Sequence, residues 1–69
     1  MEIKARVPGT IEEILVKEGD TIAVGTPVVK LEAMKMLQEV RSPIAGEVTE
    51  ISVEQGARVK AGAVLVVVE

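Results

Sequence analysis

The sequence lacks cysteine, histidine and aromatic residues altogether, and it contains one aspartate in 69 residues. Without cysteine or histidine, the chain can form no disulfide and offers none of the ligands that structural zinc usually takes. Neither a catalytic triad nor a phosphate-binding glycine loop can be assembled from what remains. We therefore expect no catalytic residues and no metal site, and a fold held together by aliphatic packing alone.

Two further absences narrow the class of protein. No apolar run is long enough for a transmembrane helix, and Met1 leads into Glu2 and Lys4 rather than into the apolar core of a signal peptide. The formal net charge of -3 is spread along the chain, without the basic patch that a nucleic-acid backbone requires. We expect a soluble, cytoplasmic protein that does not bind nucleic acid and does not insert into a membrane.

What the chain does contain is an internal repeat. Residues 9–32 align without a gap on residues 46–69, and eight of these 24 positions are identical. The identical positions include three pairs of glycines: Gly9 with Gly46, Gly19 with Gly56, and Gly25 with Gly62. Two copies are too few for a solenoid, which needs several stacked units to bury its faces. The repeat predicts two interlocked halves related by a pseudo-twofold axis.

The composition and spacing of the apolar residues favour strands. Thirteen valines, six isoleucines and four leucines dominate the apolar set, and β-branched side chains suit pleated sheets. Alternation predicts a first strand over residues 2–7. In the second strand, the step of three from Ile11 to Ile14 predicts a β-bulge, and the same step recurs from Val48 to Ile51.

Glycines divide the rest of each half into short strands. Gly19 and Gly56 predict turns with positive φ, each followed by a strand of two residues. Longer strands are expected at residues 28–32, 37–41 and 64–68. We predict a single all-β domain over residues 1–69, a flattened eight-stranded antiparallel barrel or sandwich built from two interlocked four-stranded halves.

Met34 and Lys35 occupy the tip of the hairpin that joins the two halves. Two-residue hairpin turns favour Asn-Gly or Asp-Gly because their favoured types need positive φ. Met-Lys is a poor turn sequence, and such local conflicts are typical of functional sites. An exposed primary amine on a long stem is accessible to an acyl donor, which predicts covalent modification of Lys35. The alternative is an ordinary solvated lysine beside methionines that fill the core.

The run Glu32-Ala33-Met34-Lys35-Met36 resembles the attachment sequence of biotinyl domains, the carrier modules of biotin-dependent carboxylases, decarboxylases and transcarboxylases. In that family two four-stranded halves interlock, and the modified lysine lies on the hairpin between them. The resemblance implies that Lys35 carries biotin covalently and that biotin protein ligase recognises Met34 and Met36. Glu32 and Ala33 complete the motif.

The resemblance covers essentially the whole chain and implies a carrier that is not itself an enzyme. Biotin on Lys35 would receive a carboxyl group at a biotin carboxylase subunit or domain and deliver it at a carboxyltransferase or decarboxylase. A covalent tether raises the effective concentration of the cargo at each partner site. Glu32 and Glu39, which flank the tip, are further candidates for contact with the ligase.

The sequence departs from the family pattern at two places and leaves three other functions open. Leu37-Gln38 stands where members often have an acid or amide followed by Asn, and Arg6-Val7 stands where many have Pro-Met. A lipoyl carrier of a 2-oxo acid dehydrogenase complex has the same architecture but usually presents Asp-Lys-Ala. An unmodified interaction module of the same fold needs no modified lysine. An enzyme in its own right is the third alternative.

Overall fold

The computed structural model describes all residues, 1–69, and consists of eight β-strands joined by short turns. No helix that could span a membrane is present. The strands are β1 (Glu2–Lys4), β2 (Gly9–Ile14), β3 (Thr21–Ile22), β4 (Pro27–Ala33), β5 (Met36–Arg41), β6 (Gly46–Ile51), β7 (Arg58–Val59) and β8 (Val64–Val68).

The strands form two four-stranded antiparallel sheets that share both halves of the sequence. One sheet has the order β1-β8-β6-β3 and the other has the order β5-β4-β2-β7. Replacing each strand by the one four places away in the chain converts the first order into the second. Each sheet thus takes two strands from each half, which confirms the predicted interlocked all-β architecture.

Equivalent turns in the two halves make equivalent hydrogen bonds. The Gly19 amide donates to the carbonyl of Val48, and the Gly56 amide donates to the carbonyl of Ile11, both at 2.7 Å. The φ angles of Gly19 and Gly56 are 91° and 87°, as the turn prediction required. Because each of these bonds joins one half to the other, the turns fix how the halves interlock.

The two predicted bulges are confirmed by the strand register. Pairing of β2 with β4 shifts between Ile11 and Glu13, and pairing of β6 with β8 shifts between Val48 and Glu50. An extra residue at each shift bends the strand and increases its twist. The same irregularity in both halves is therefore part of the architecture.

Gly9 and Gly46 are glycines for a packing reason that the sequence did not reveal. A Cβ at Gly9 would lie 2.5 Å from the carbonyl oxygen of Glu32, and one at Gly46 would lie 2.6 Å from that of Glu69. Both distances are far below van der Waals contact. The close approach of β2 to β4, and of β6 to the end of the chain, therefore excludes any side chain at these positions.

The core lies between the two sheets and is entirely aliphatic. Its thirteen buried residues are Ile3, Ala5, Ile11, Val16, Ile22, Val28, Val29, Leu31, Val48, Val59, Leu65, Val66 and Val68. Fully burying one Val, Leu or Ile side chain contributes roughly 1.5 to 3 kcal/mol. Such a core can stabilise a small domain that has neither disulfides nor aromatic residues.

Four strands differ in extent from the predicted ones. β1 ends at Lys4 and not near Val7, because its partner strand β8 begins at Val64, the residue that pairs with Lys4. The apolar pattern also predicts Val16 in the second strand, but β2 ends at Ile14, and Val16 follows it with its side chain buried in the core. β4 is one residue longer than predicted at each end, from Pro27 to Ala33, and β5 begins one residue earlier, at Met36.

Candidate functional site

The hairpin between β4 and β5 ends in a two-residue turn. Ala33 pairs with Met36 as the last pair of the ladder, which leaves Met34 and Lys35 as the turn itself. Their φ angles are 54° and 65°, and positive φ at both central residues is the requirement of a type I′ turn. This geometry matches the right-handed twist of the flanking strands, so the tip continues the hairpin without splaying it.

The turn is strained because neither residue is glycine. Met34 and Lys35 are the only non-glycine residues of the chain with positive φ. A left-handed conformation costs an L-residue about 1 to 2 kcal/mol. The ladder of β4 and β5 holds the tip in this conformation. Residues held in strained conformations cluster at functional sites, in agreement with the position of the lysine.

The side chains of the tip point into solvent. Met34 is 86% exposed and Met36 is 65% exposed, so the interpretation of these methionines as core filler is wrong. Lys35 is also exposed, its amine belongs to none of the three ion pairs of the structure, and it lines no surface recess. An incoming acyl donor would therefore meet the amine without displacing a partner.

The other residues of the motif lie directly behind the tip and have different environments. Ala33 is 2% exposed, so its side chain is not available for contact with another protein. Glu32 is exposed and has no ionic partner. Glu39 accepts a hydrogen bond from Nη2 of Arg41 at 3.1 Å. Of the two glutamates that flank the tip, Glu32 is nearer the tip, and its carboxylate forms no ion pair.

Leu37 also belongs to this surface, although in the sequence it stands out only as a departure from the family pattern. It pairs with Glu32 across the hairpin and is 56% exposed. Three of the five large exposed apolar residues of the chain therefore lie within two residues of Lys35: Met34, Met36 and Leu37. A surface of this kind is suited to contact with another protein.

Comparison with known proteins agrees with this geometry. The profile of the family described as "Biotin-requiring enzyme", which covers biotin and lipoyl domains, matches residues 1–68. The chain belongs to this family. The chain is similar to a biotin carboxyl carrier protein of Streptococcus mutans, with 47% identity over 58 residues, which correspond to 84% of this chain and 45% of that protein.

A short relative is matched over nearly its whole length. The biotinylated protein TB7.3 homolog of Mycobacterium leprae is 36% identical over 67 residues, which cover 97% of this chain and 94% of that protein. The solved structure of a single-chain, multi-domain long-chain acyl-CoA carboxylase gives a TM-score of 0.90 at 32% identity, over 96% of this chain and 7% of that chain. The fold is thus that of the biotinyl domains of carboxylases.

Two of these relatives are much longer than this chain. It spans less than half of the Streptococcus mutans protein and a small part of the carboxylase chain. Acetyltransferase components of pyruvate dehydrogenase complexes match too, at 34% and 40% identity. Overall fold and sequence identity alone therefore do not separate a biotin carrier from a lipoyl carrier.

Proposed function

We propose that this chain is a biotin carboxyl carrier whose cofactor is attached to Nζ of Lys35. The observation that carries the proposal is the position of Lys35 at a strained, exposed two-residue tip between two exposed methionines. The relatives named as biotin carboxyl carrier and biotinylated proteins support it.

Attachment requires one bond-forming step at the tip. The amine of Lys35 gives up a proton and attacks the activated carboxyl carbon of biotin, and the activating group leaves as the amide forms. The exposed turn makes this attack possible from outside the domain, since no side chain covers the amine. Once attached, biotin supplies a ring nitrogen that accepts and releases a carboxyl group.

The chain itself binds, presents and tethers the cargo. A rigid hairpin fixes the base of the arm, and the tether replaces diffusion by a high effective concentration at each partner site. We place the two chemical steps outside this chain, at a biotin carboxylase and at a carboxyltransferase or decarboxylase. We assign the chain no catalytic residue. The absence of cysteine fits a reducing cytoplasm as the compartment.

The methionines favour biotin over lipoate as the cargo. Met34 and Met36 present flexible, polarizable and uncharged surface on both sides of the lysine. An aspartate at the first of these positions, as lipoyl domains usually have, would be costly to bury against an apolar ligase contact. The tip therefore discriminates between two ligases that meet the same fold.

Incubation of the purified chain with each ligase tests the proposal. Biotin protein ligase with ATP and biotin should add one biotinyl group to the intact mass, whereas lipoate ligase with ATP and lipoate should add little or nothing. A lipoyl adduct without a biotinyl adduct would assign the chain to the lipoyl carriers. If neither adduct forms, although both ligases are active on control domains, the result would favour the unmodified interaction module.

A further inference from the structure

The side chains of this chain that a peroxide can oxidise are its three methionines. Thiols, thioethers, imidazoles and electron-rich aromatic rings react with such oxidants, and the sequence has no cysteine, histidine, tryptophan or tyrosine. Two of the three methionines, Met34 and Met36, are the chain neighbours of Lys35. Oxygen that a peroxide transfers to this protein is therefore directed mainly to the attachment hairpin.

The core is inert towards the same oxidants. Its thirteen buried residues are isoleucine, alanine, valine and leucine, whose side chains contain only carbon and hydrogen. A methionine in a core becomes polar on oxidation and disrupts the packing, but no methionine lies in this core. Oxidation can therefore change the tip while the fold remains intact.

Both thioethers at the tip are accessible to a small solute. Met34 and Met36 are more exposed than Met1, and neither sulfur accepts a hydrogen bond from the protein. The chain has no aromatic ring against which a sulfur could pack. Met1 lies in the other sheet, where its carbonyl accepts a hydrogen bond from the amide of Val68. It is thus a reference methionine away from Lys35.

Oxidation transfers one oxygen atom to each sulfur. The sulfur lone pair attacks one oxygen of hydrogen peroxide, the O–O bond breaks as the S–O bond forms, and a proton shifts to the departing hydroxide, which leaves as water. The sulfur loses two electrons and the peroxide gains them. Methionine sulfoxide reductases reverse the change: two thiols become a disulfide, and the sulfoxide oxygen leaves as water.

Oxidation makes the surface beside the lysine polar. A sulfoxide oxygen is a hydrogen-bond acceptor, and burying a polar group without a partner costs free energy. Met34, Met36 and Leu37 form the exposed apolar surface around Lys35, and only Leu37 keeps its character after oxidation. An apolar contact that covers the methionines during attachment is thereby weakened on both sides of the amine.

On the basis of the proposed function, we propose that Met34 and Met36 form a reversible oxidation site that controls the loading of Lys35. Peroxide converts the chain to a folded form that takes up biotin slowly, and a methionine sulfoxide reductase restores the uptake. The reaction leaves the lysine amine unchanged, so the control acts through the surface that the two methionines present.

Treatment of the apo chain with hydrogen peroxide, followed by removal of the peroxide, tests the inference. Peptide mapping locates the added oxygen, circular dichroism follows the fold, and intact mass follows the rate of biotinylation. The control is Met34→Leu with Met36→Leu, which keeps Met1 but has no oxidisable side chain at the tip. Each protein is compared with its own untreated sample, so the starting rate of the variant does not enter the comparison.

We expect one oxygen on each of Met34 and Met36, an unchanged Tm, and a rate of biotinylation lowered about tenfold, since two polar groups are buried against an apolar contact. Methionine sulfoxide reductase with dithiothreitol should restore the rate, and peroxide should not slow the leucine variant.

Three results would overturn the inference and leave the proposed function intact: an oxidised parent that is biotinylated at the untreated rate, an equal loss in the leucine variant, or unfolding of the parent on oxidation. A parent that takes up no biotin before treatment would instead refute the proposed function.

Discussion

Replacing Met34 by asparagine should stabilise the domain and at the same time impair its modification. Met34 has φ of 54° and is 86% exposed, so the substitution removes almost no buried apolar surface. Asparagine adopts the left-handed conformation far more readily than methionine. Relief of most of a strain of about 1 to 2 kcal/mol should stabilise the fold by about 1 kcal/mol.

For a domain of this size, about 1 kcal/mol raises Tm by roughly 4 to 8 °C. The assay is thermal unfolding followed by circular dichroism, with the rate of biotinylation measured on the same samples. Met36→Asn is the matched control, because it makes the same chemical change in a strand residue without positive φ, where asparagine is disfavoured. A Met34→Asn protein with Tm equal to or below that of the parent would refute the assignment of strain to the turn.

Two further predictions concern positions away from the tip. Gly9→Ala should lower the free energy of unfolding more than Gly19→Ala in urea titrations. A Cβ at Gly9 would lie 2.5 Å from the carbonyl oxygen of Glu32, whereas a Cβ at Gly19 would meet no neighbour, and only the φ of 91° disfavours it. Equal losses would contradict the close approach at Gly9. Ser42→Ala should lower the free energy of unfolding by about 1 to 3 kcal/mol in the same titrations, because the buried hydroxyl donates to the carbonyl of Ile44 at 2.6 Å and accepts from the amide of Ile44. An unchanged urea midpoint would contradict this role of Ser42.

The repeat made most of the fold predictable from the sequence. The bulge at the step from Ile11 to Ile14 was predictable because the same step recurs in the second half. The positive φ of Gly19 was predictable for the same reason, because Gly56 occupies the equivalent position. The end of β1 could not be predicted. Alternation of apolar residues continues to Val7, but the strand ends where its partner β8 begins, at the pair of Lys4 with Val64, and the sequence of β1 does not contain that information.

The site was predictable in position but not in extent. Lys35 and its methionines were found because a Met-Lys turn conflicts with the usual turn chemistry and because the run matches a family motif. The contribution of Leu37 to the exposed surface was not predicted, because a single leucine next to the motif gives no signal of exposure. Its exposure depends on its pairing with Glu32 across the hairpin and on the face of the sheet that it occupies, which is tertiary information.

Peptide mapping of the biotinylated chain tests the central claim most directly. The chain is modified to completion by biotin protein ligase, digested, and sequenced by tandem mass spectrometry, with folded Lys35→Arg protein treated in parallel. The account predicts that all biotin lies on Lys35, that the other four lysines are unmodified, and that the Lys35→Arg protein takes up none. Stoichiometric biotin on another lysine, or on the folded Lys35→Arg protein, would contradict it.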